Sequence, residues 1–288
     1  MTEPGPSVRD VVAQMRARLE AAGIADPLTD VRLLIGEVIR FSLTDFMLDD
    51  KRAVTPPQLA RIEQMIARRE SGEPVHRILG HREFYGLDLL LSEGTLEPRP
   101  DTEVLVDALL PHLRRIVSAR GKARILDMGI GTGAICLALL HECPGATGVG
   151  SDISRDAMQT ARNNAERHGL VDRFGTVESN WFEHISGRFD IIVSNPPYIR
   201  SDVIATLDRD VRGFDPMAAL DGGEDGLAPY RAIAEKAMDF LGDEGLVGLE
   251  IGYDQKLDVT ALFAQKGFRC VEAVRDYGGN DRALIFCR

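Results

Sequence analysis

The chain of 288 residues is 44% hydrophobic and 27% charged, the make-up of a soluble globular protein with room for one large domain or two ordinary ones. Its net charge is −11, and residues 1–80, with 11 Lys and Arg against 12 Asp and Glu, carry almost none of it; acidity in the remainder argues against a catalytic half that grips bare nucleic acid. There is no membrane span and no export pattern in residues 1–7. The cysteines Cys136, Cys143, Cys270 and Cys287 show no CxxC spacing, so a cytoplasmic location, reduced thiols and no metal site are expected.

From Val8 to about Gly72 the pattern is helical. Val11, Val12, Met15 and Leu19 recur at spacings of three and four, and Gly23 stops that helix. Asp26-Pro27 starts a second, with Val31, Leu34, Ile35, Val38 and Ile39 as its apolar stripe. Thr44-Asp45 reads as another start, and Thr55-Pro56-Pro57 opens a helix that ends in the basic pair Arg68-Arg69, a favourable place for positive charge. Residues 1–72 are therefore expected to form a small helical bundle. Either a passive cap or a docking surface for a macromolecule fits it.

Residues 73–97 contain Arg82-Glu83-Phe84-Tyr85-Gly86-Leu87, which predicts a linking hairpin. Pro98-Arg99-Pro100-Asp101-Thr102-Glu103 then makes a rigid entry into a helix over 103–117, with Asp101 or Thr102 as its cap. Residues 98–288 alternate strands and helices. Strands are expected near 124–128, 147–151, 174–178, 189–194, 246–251, 268–274 and 282–287, and helices near 133–141, 154–168, 229–240 and 255–265. The alternation predicts an α/β fold with a mostly parallel sheet of seven strands, covered on both faces. Only residues 276–281 separate the last two strands, too short a link for a parallel crossover, so the last strand is expected to run antiparallel.

Three stretches carry chemistry. Asp127-Met128-Gly129-Ile130-Gly131-Thr132-Gly133 is a strand end running into a glycine turn, where glycines permit positive φ and close approach of a ligand. The next strand ends at Asp152, placed to meet a ribose diol. An acid at Asp127 would repel a pyrophosphate but suits the ammonium and sulfonium of S-adenosylmethionine. Trp181, the only tryptophan, either packs in the core or borders an adenine pocket; Phe182 and Phe189 read as core. Finally, Ser194-Asn195-Pro196-Pro197-Tyr198 follows an apolar strand. Its two prolines hold Asn195 and Pro196 extended. The Asn195 side-chain oxygen and the Pro196 carbonyl then offer two acceptors for a planar NH2, with Tyr198 as a flat neighbour. The glycine- and acid-rich residues 221–227 read either as a loop mobile over the site or as a simply solvated one, the second being slightly favoured.

With these motifs, and with Gly72-Glu73-Pro74-Val75, Arg82 to Tyr85, Pro98 to Glu103, Arg212-Gly213-Phe214-Asp215-Pro216 and Arg275-Asp276-Tyr277, nearly the whole chain resembles the class I S-adenosylmethionine-dependent methyltransferases, which have a Rossmann-like sheet. Within them it resembles the PrmC/HemK family, the protein-(glutamine-N5) methyltransferases of class 1 peptide chain release factors. The resemblance implies that Asp127, Gly129, Ile130, Gly131, Thr132, Gly133, Asp152, Trp181 and Asn195 contact S-adenosylmethionine. It implies that Asn195, Pro196, Pro197 and Tyr198 hold the glutamine of a Gly-Gly-Gln tip, and that the bundle docks the factor's body. Ile130 and Asn180 depart from the family, in which Thr and Asp are frequent there. A nucleic-acid amino methyltransferase, acting on adenine N6 or guanine N2, shares the Asn-Pro-Pro-Tyr loop and is the alternative; the charge distribution speaks against it.

Overall fold

The computed structural model describes residues 5–288; residues 1–4, part of the opening stretch without an export pattern, lie outside the described residues. The chain divides into two compact units, one running up to Gly80 and the other comprising His81–Arg288. Among the described residues no helix is long and apolar enough to cross a membrane.

The first unit is helical, with α1 (Val8–Ala21), α2 (Pro27–Ile39), the single turn α3 (Asp45–Leu48), α4 (Pro56–Glu70) and α5 (Val75–Leu79). Local chemistry sets its starts. Ser7 and Asp10 form a reciprocal capping box at α1, Thr55 and Gln58 another at α4, and Asp26 caps α2 before Pro27. Val11, Met15, Leu19, Val31, Leu34, Ile35, Ile62 and Ile66 fill the core. One expectation changes here. Residues 75–79 are a fifth helix packed on α2 and α4, not part of the linking hairpin, so the bundle extends past Gly72 to Gly80. Arg68 and Arg69 stand in the last turn of α4 as expected, and the buried Arg69 also pairs with Asp30 at 2.6 Å, tying α4 to α2.

The second unit opens with a hairpin, β1 (His81–Phe84) and β2 (Leu87–Leu90). There follow α6 (Glu103–Arg120), β3 (Ala123–Met128), α7 (Ala134–Glu142), β4 (Ala146–Asp152), α8 (Arg155–Arg167), β5 (Phe174–Glu178) and β6 (Phe189–Ser194). After β6 come the short α9 (Arg209–Phe214), then α10 (Ala228–Phe240), β7 (Leu241–Glu250), α11 (Lys256–Gln265), β8 (Arg269–Arg275) and β9 (Asp281–Cys287). The strands form one seven-stranded sheet in the order β5-β4-β3-β6-β7-β9-β8. The pairings from β5 through β7 are parallel, and β9 runs antiparallel to both neighbours. Alternate residues serve opposite faces: Ile125, Ile191 and Ile285 pack under α6, α7 and α8, while Leu126, Ile192 and Phe286 pack with α10 and α11. Strands buried on both sides lack polar alternation, which is why they read as plain apolar runs. β7 starts earlier than expected. Leu241 pairs with Phe189, residues 242–245 bulge out, and pairing resumes at Leu246 opposite Ile191.

Small residues let the helices lie close to the sheet. A Cβ on Gly148 of β4 would stand 2.3 Å from the Cys136 sulfur of α7, whereas one on Gly175 of β5 would meet nothing within 4 Å. Gly148→Ala is therefore expected to lower stability by about 1–3 kcal/mol through overpacking. Gly175→Ala should change it little, a contrast that urea unfolding of the two variants measures.

Candidate active site

β3 and β6 lie side by side, and the connections that follow them leave the same edge of the sheet. A crevice outside the carboxyl ends of the strands, where the strand order reverses, is where such sheets bind ligands. Here it is a cavity of about 450 Å3 within the second unit. The Ser194 hydroxyl donates to the Met128 carbonyl at 2.6 Å, pinning the end of β6 to the end of β3.

The glycine turn lines one wall. Gly129 and Gly131 have φ of 73° and 51°, and a Cβ added to either would stand clear of all other atoms, so the backbone presents a bare cradle. Thr132 and Ile130 also line it. Ile130 is buried against Gly150, where a Cβ would come within 2.5 Å of its Cγ1. Gly133 does not line the cavity. At φ 87° it turns the chain into α7, and a Cβ there would press on Leu137 at 2.9 Å, so it serves the fold.

Two acids face the cavity. Asp127 is fully buried; its Oδ2 accepts the Cys136 N–H at 3.1 Å, while Oδ1 has no partner. Burial pushes its carboxyl well above the ordinary range, and the nearby Asp152 adds to this. Asp152 accepts N–H bonds from Gly131 at 3.1 Å and Ser154 at 2.9 Å, yet burial still raises it. Trp181, in the left-handed region at φ 51°, and Asn180, which bonds Glu183, border the same cavity. Phe182 and Phe189 are core.

The Asn195-Pro196-Pro197-Tyr198 loop closes the other side. Asn195 and Pro197 line the cavity; Pro196 is buried and does not. Asn195 Nδ2 donates to Thr102 Oγ1 at 3.3 Å. Thr102 therefore belongs to the site: neither its side chain nor that of Asp101 caps α6, which begins through a 3-10 turn over Pro100–Thr102. Tyr198 lines a second cavity of about 1140 Å3 and its hydroxyl donates to Glu250 Oε1 at 3.4 Å. The 221–227 loop is not simply solvated. Gly222 and Gly226 abut the carbonyls of Pro197 and Tyr198 so tightly that a Cβ would come to 2.9 and 2.6 Å, and Gln255 Nε2 binds the carbonyls of Tyr198 (3.0 Å) and Gly226 (3.1 Å).

Sequence reasoning missed Glu250, Gln255 and Arg282. Glu250 ends β7 almost wholly inaccessible, its Oε2 without a partner, and burial pushes it up to about 7 despite the Thr102 hydroxyl and Arg282, which favour its charged form. An acid closing an apolar strand was the available signal. Motifs quoted earlier without a role also meet here: Arg99 pairs with Asp215 at 2.8 Å, and Arg282 with Asp276 at 3.0 Å.

Residues 10–80 match the PrmC N-terminal domain and residues 101–208 the methyltransferase small domain. A release factor glutamine methyltransferase of Agrobacterium fabrum is 68% identical over 273 residues, covering 95% of this chain and 94% of its own. The chain belongs to the release factor glutamine methyltransferase family. Another member, from Rhodospirillum rubrum, is 46% identical, covering 93% of this chain and 81% of its own. Of solved structures, a methyltransferase from Pyrococcus furiosus (TM-score 0.52, 20% identical, 78% of this chain and 96% of that one) shares the fold. So does the hMettl16 catalytic domain (TM-score 0.56, 14% identical, 88% and 91%).

The raised carboxyl of Glu250 has a measurable signature in this methyltransferase. Folded, Glu250 keeps its proton up to about 7, against 4.5 for the free side chain, so the folded state binds more protons and stability falls as pH rises through that window. Glu250→Gln cannot ionise. Between pH 5 and pH 8 its unfolding free energy should move in the variant's favour, relative to wild type, by at most about 3 kcal/mol, read by urea denaturation.

Proposed function

We propose that the chain transfers a methyl group from S-adenosylmethionine to the side-chain N5 of the glutamine in the Gly-Gly-Gln motif of class 1 peptide chain release factors, in the cytoplasm. The observation that carries this reading is that Asn195 lines the same cavity as Asp127 and Asp152. The names of its relatives in Agrobacterium fabrum and Rhodospirillum rubrum support the substrate.

The residues fit S-adenosylmethionine. The partnerless Asp127 Oδ1 suits a positively charged group, the Gly129–Gly131 cradle admits a ligand against the backbone, Asp152 suits a diol, and Trp181 offers an apolar face. Bound there, the cofactor supplies an activated methyl group. The chain supplies the rest. An amide nitrogen is a weak nucleophile because its lone pair is delocalised into the carbonyl. Asn195, with Nδ2 engaged by Thr102, keeps Oδ1 to accept one substrate N–H, and the Pro196 carbonyl is the second acceptor. Both bonds strengthen as the nitrogen becomes positive, where binding energy accelerates the reaction. The proton leaves after transfer, so no dedicated base is required. The loop stands between the two cavities, with the methyl donor on the Asn195 side and the glutamine delivered from the Tyr198 side, whose ring limits rotation of the amide. The bundle docks the body of the factor.

Asn195→Ala should lower turnover on the order of 10^2 to 10^3-fold while leaving donor affinity within a few fold; preserved methyl transfer would refute the role. Asp152→Ala should weaken calorimetric affinity for S-adenosylhomocysteine about 10-fold or more. Incubation with labelled S-adenosylmethionine and, separately, a release factor, DNA and ribosomal RNA should label only the factor, at its Gly-Gly-Gln glutamine by mass mapping. Label on a nucleic acid would reverse the reading.

A further inference from the structure

We infer that residues 91–99 are a further wall of the methyl-donor cavity, and that Asp156, Thr160 and Asn164 of α8 are the positioning residues that hold it there. The inference deepens the function proposed above and rests on its placement of S-adenosylmethionine. After β2 ends at Leu90 the chain leaves the hairpin and runs to the 3-10 turn before α6. On the way Gly94, Leu96 and Pro98 line the donor cavity, whereas the intervening Thr95 and Glu97 are buried and do not line it. The alternation gives the segment one face toward the ligand and one toward the protein. Its own polar groups stiffen it: the Thr95 hydroxyl accepts the Ser92 N–H and donates to the Ser92 carbonyl, both at 3.0 Å, and Glu97 pairs with Arg82 of β1.

Backbone groups in such a segment need partners, and α8 supplies them. Asp156, Thr160 and Asn164 recur every fourth residue, so they share one face of the helix. Asn164 is wholly inaccessible. Its Oδ1 accepts the Leu90 N–H at 2.7 Å and its Nδ2 donates to the Leu90 carbonyl at 3.1 Å, the pairing a neighbouring strand would make. Nδ2 also donates to the Thr132 carbonyl at 2.8 Å, in the glycine turn. One helical turn earlier the Thr160 hydroxyl donates to Ser92 Oγ at 2.8 Å. One turn earlier again, Asp156 Oδ2 accepts the Gly94 N–H at 2.8 Å. A Cβ on Gly94 would stand 2.6 Å from that oxygen and 3.0 Å from Ser154 Oγ, so the approach requires glycine.

α8 already packs on the sheet through Ala157, Met158, Ala161 and Ala165, so the polar face is not needed for burial. What it adds is direction. Hydrogen bonds have narrow geometry and hold the segment in one register on the helix, which apolar contact does not. The ladder also joins the wall to the two elements expected to hold the donor's nucleoside end. Asn164 reaches the glycine turn at Thr132, and Asp156 stands beside Ser154, two residues beyond Asp152. Wall, glycine turn and Asp152 are thereby fixed to one another. The donor then meets a preformed pocket, and none of its binding energy is spent on ordering a loose segment.

Asp156 is exposed, so the test starts there, in the full chain, by calorimetry with S-adenosylhomocysteine. Asp156→Ala removes the acceptor for Gly94 and should weaken affinity about 3- to 10-fold. Asp156→Asn keeps an acceptor oxygen without the charge and should restore affinity to within about twofold of wild type. Thr160→Val, which keeps the volume and loses the hydroxyl, should weaken it as Asp156→Ala does, whereas Gln159→Ala on the exposed face should bind like wild type. Affinity unchanged in Asp156→Ala would overturn the inference. So would equal weakening in Asp156→Asn, which would assign the effect to charge at the start of α8. Amide hydrogen exchange is the second readout. S-adenosylhomocysteine should slow exchange across residues 91–99 in wild type, and the Gly94 amide should exchange faster in Asp156→Ala than in wild type or Asp156→Asn. Exchange indifferent to the ligand, or a Gly94 rate unchanged in Asp156→Ala, would overturn it. If wild type binds no S-adenosylhomocysteine, the functional reading falls, and the Gly94 rates alone decide whether the ladder holds the wall.

Discussion

The parallel pairing of β3 with β6 is the constraint on which the site depends. Parallel neighbours end at the same edge, so the glycine turn after β3 and the proline loop after β6 must emerge together although about 60 residues separate them in the chain. The Ser194 bond to Met128 fixes their depth, and β7 on the far side of β6 brings Glu250 under the loop. Each chemical group is thus located by backbone register, to the precision of a sheet rather than of a loop.

The same packing that builds the sheet also sets its electrostatics. Helices on both faces exclude water from the strand ends, and carboxyls placed there become weak acids: Asp127 and Glu250 both lie well above the ordinary range because of burial. The two carboxyls differ in use. Asp127 borders the cavity with an unpaired oxygen and suits a cationic ligand, whereas Glu250 lies behind the loop among hydroxyls. The proline loop in turn is wedged from behind by Gly222, Gly226 and Gln255, so its stiffness comes partly from its prolines and partly from contacts distant in sequence.

Much of this was legible in the sequence because the signals are local. Apolar runs of strand length, capping residues and glycines at strand ends act within a few residues, and they placed the seven strands, the antiparallel β9 and the cavity-lining Asp127, Asp152 and Asn195. Errors came where a local pattern had a distant partner. Arg69 stands at its helix end as expected, but its pairing with Asp30 of α2 was not foreseen; residues 75–79 were too few to show periodicity; and the acidic, glycine-rich 221–227 segment carries no mark of the loop it supports.

What the sequence determined by itself was the order of elements, the class of fold and the chemistry each motif offers, since these follow from residue type and spacing. Only the tertiary structure decided which polar groups share one dry pocket. Asn195 meets Thr102, and Tyr198 meets Glu250, from stretches far apart in the chain, because β6 and β7 pair in register while the turn before α6 folds over their ends. Hydrogen bonds act over about 3 Å and burial depends on every neighbour, so neither can be read along a chain.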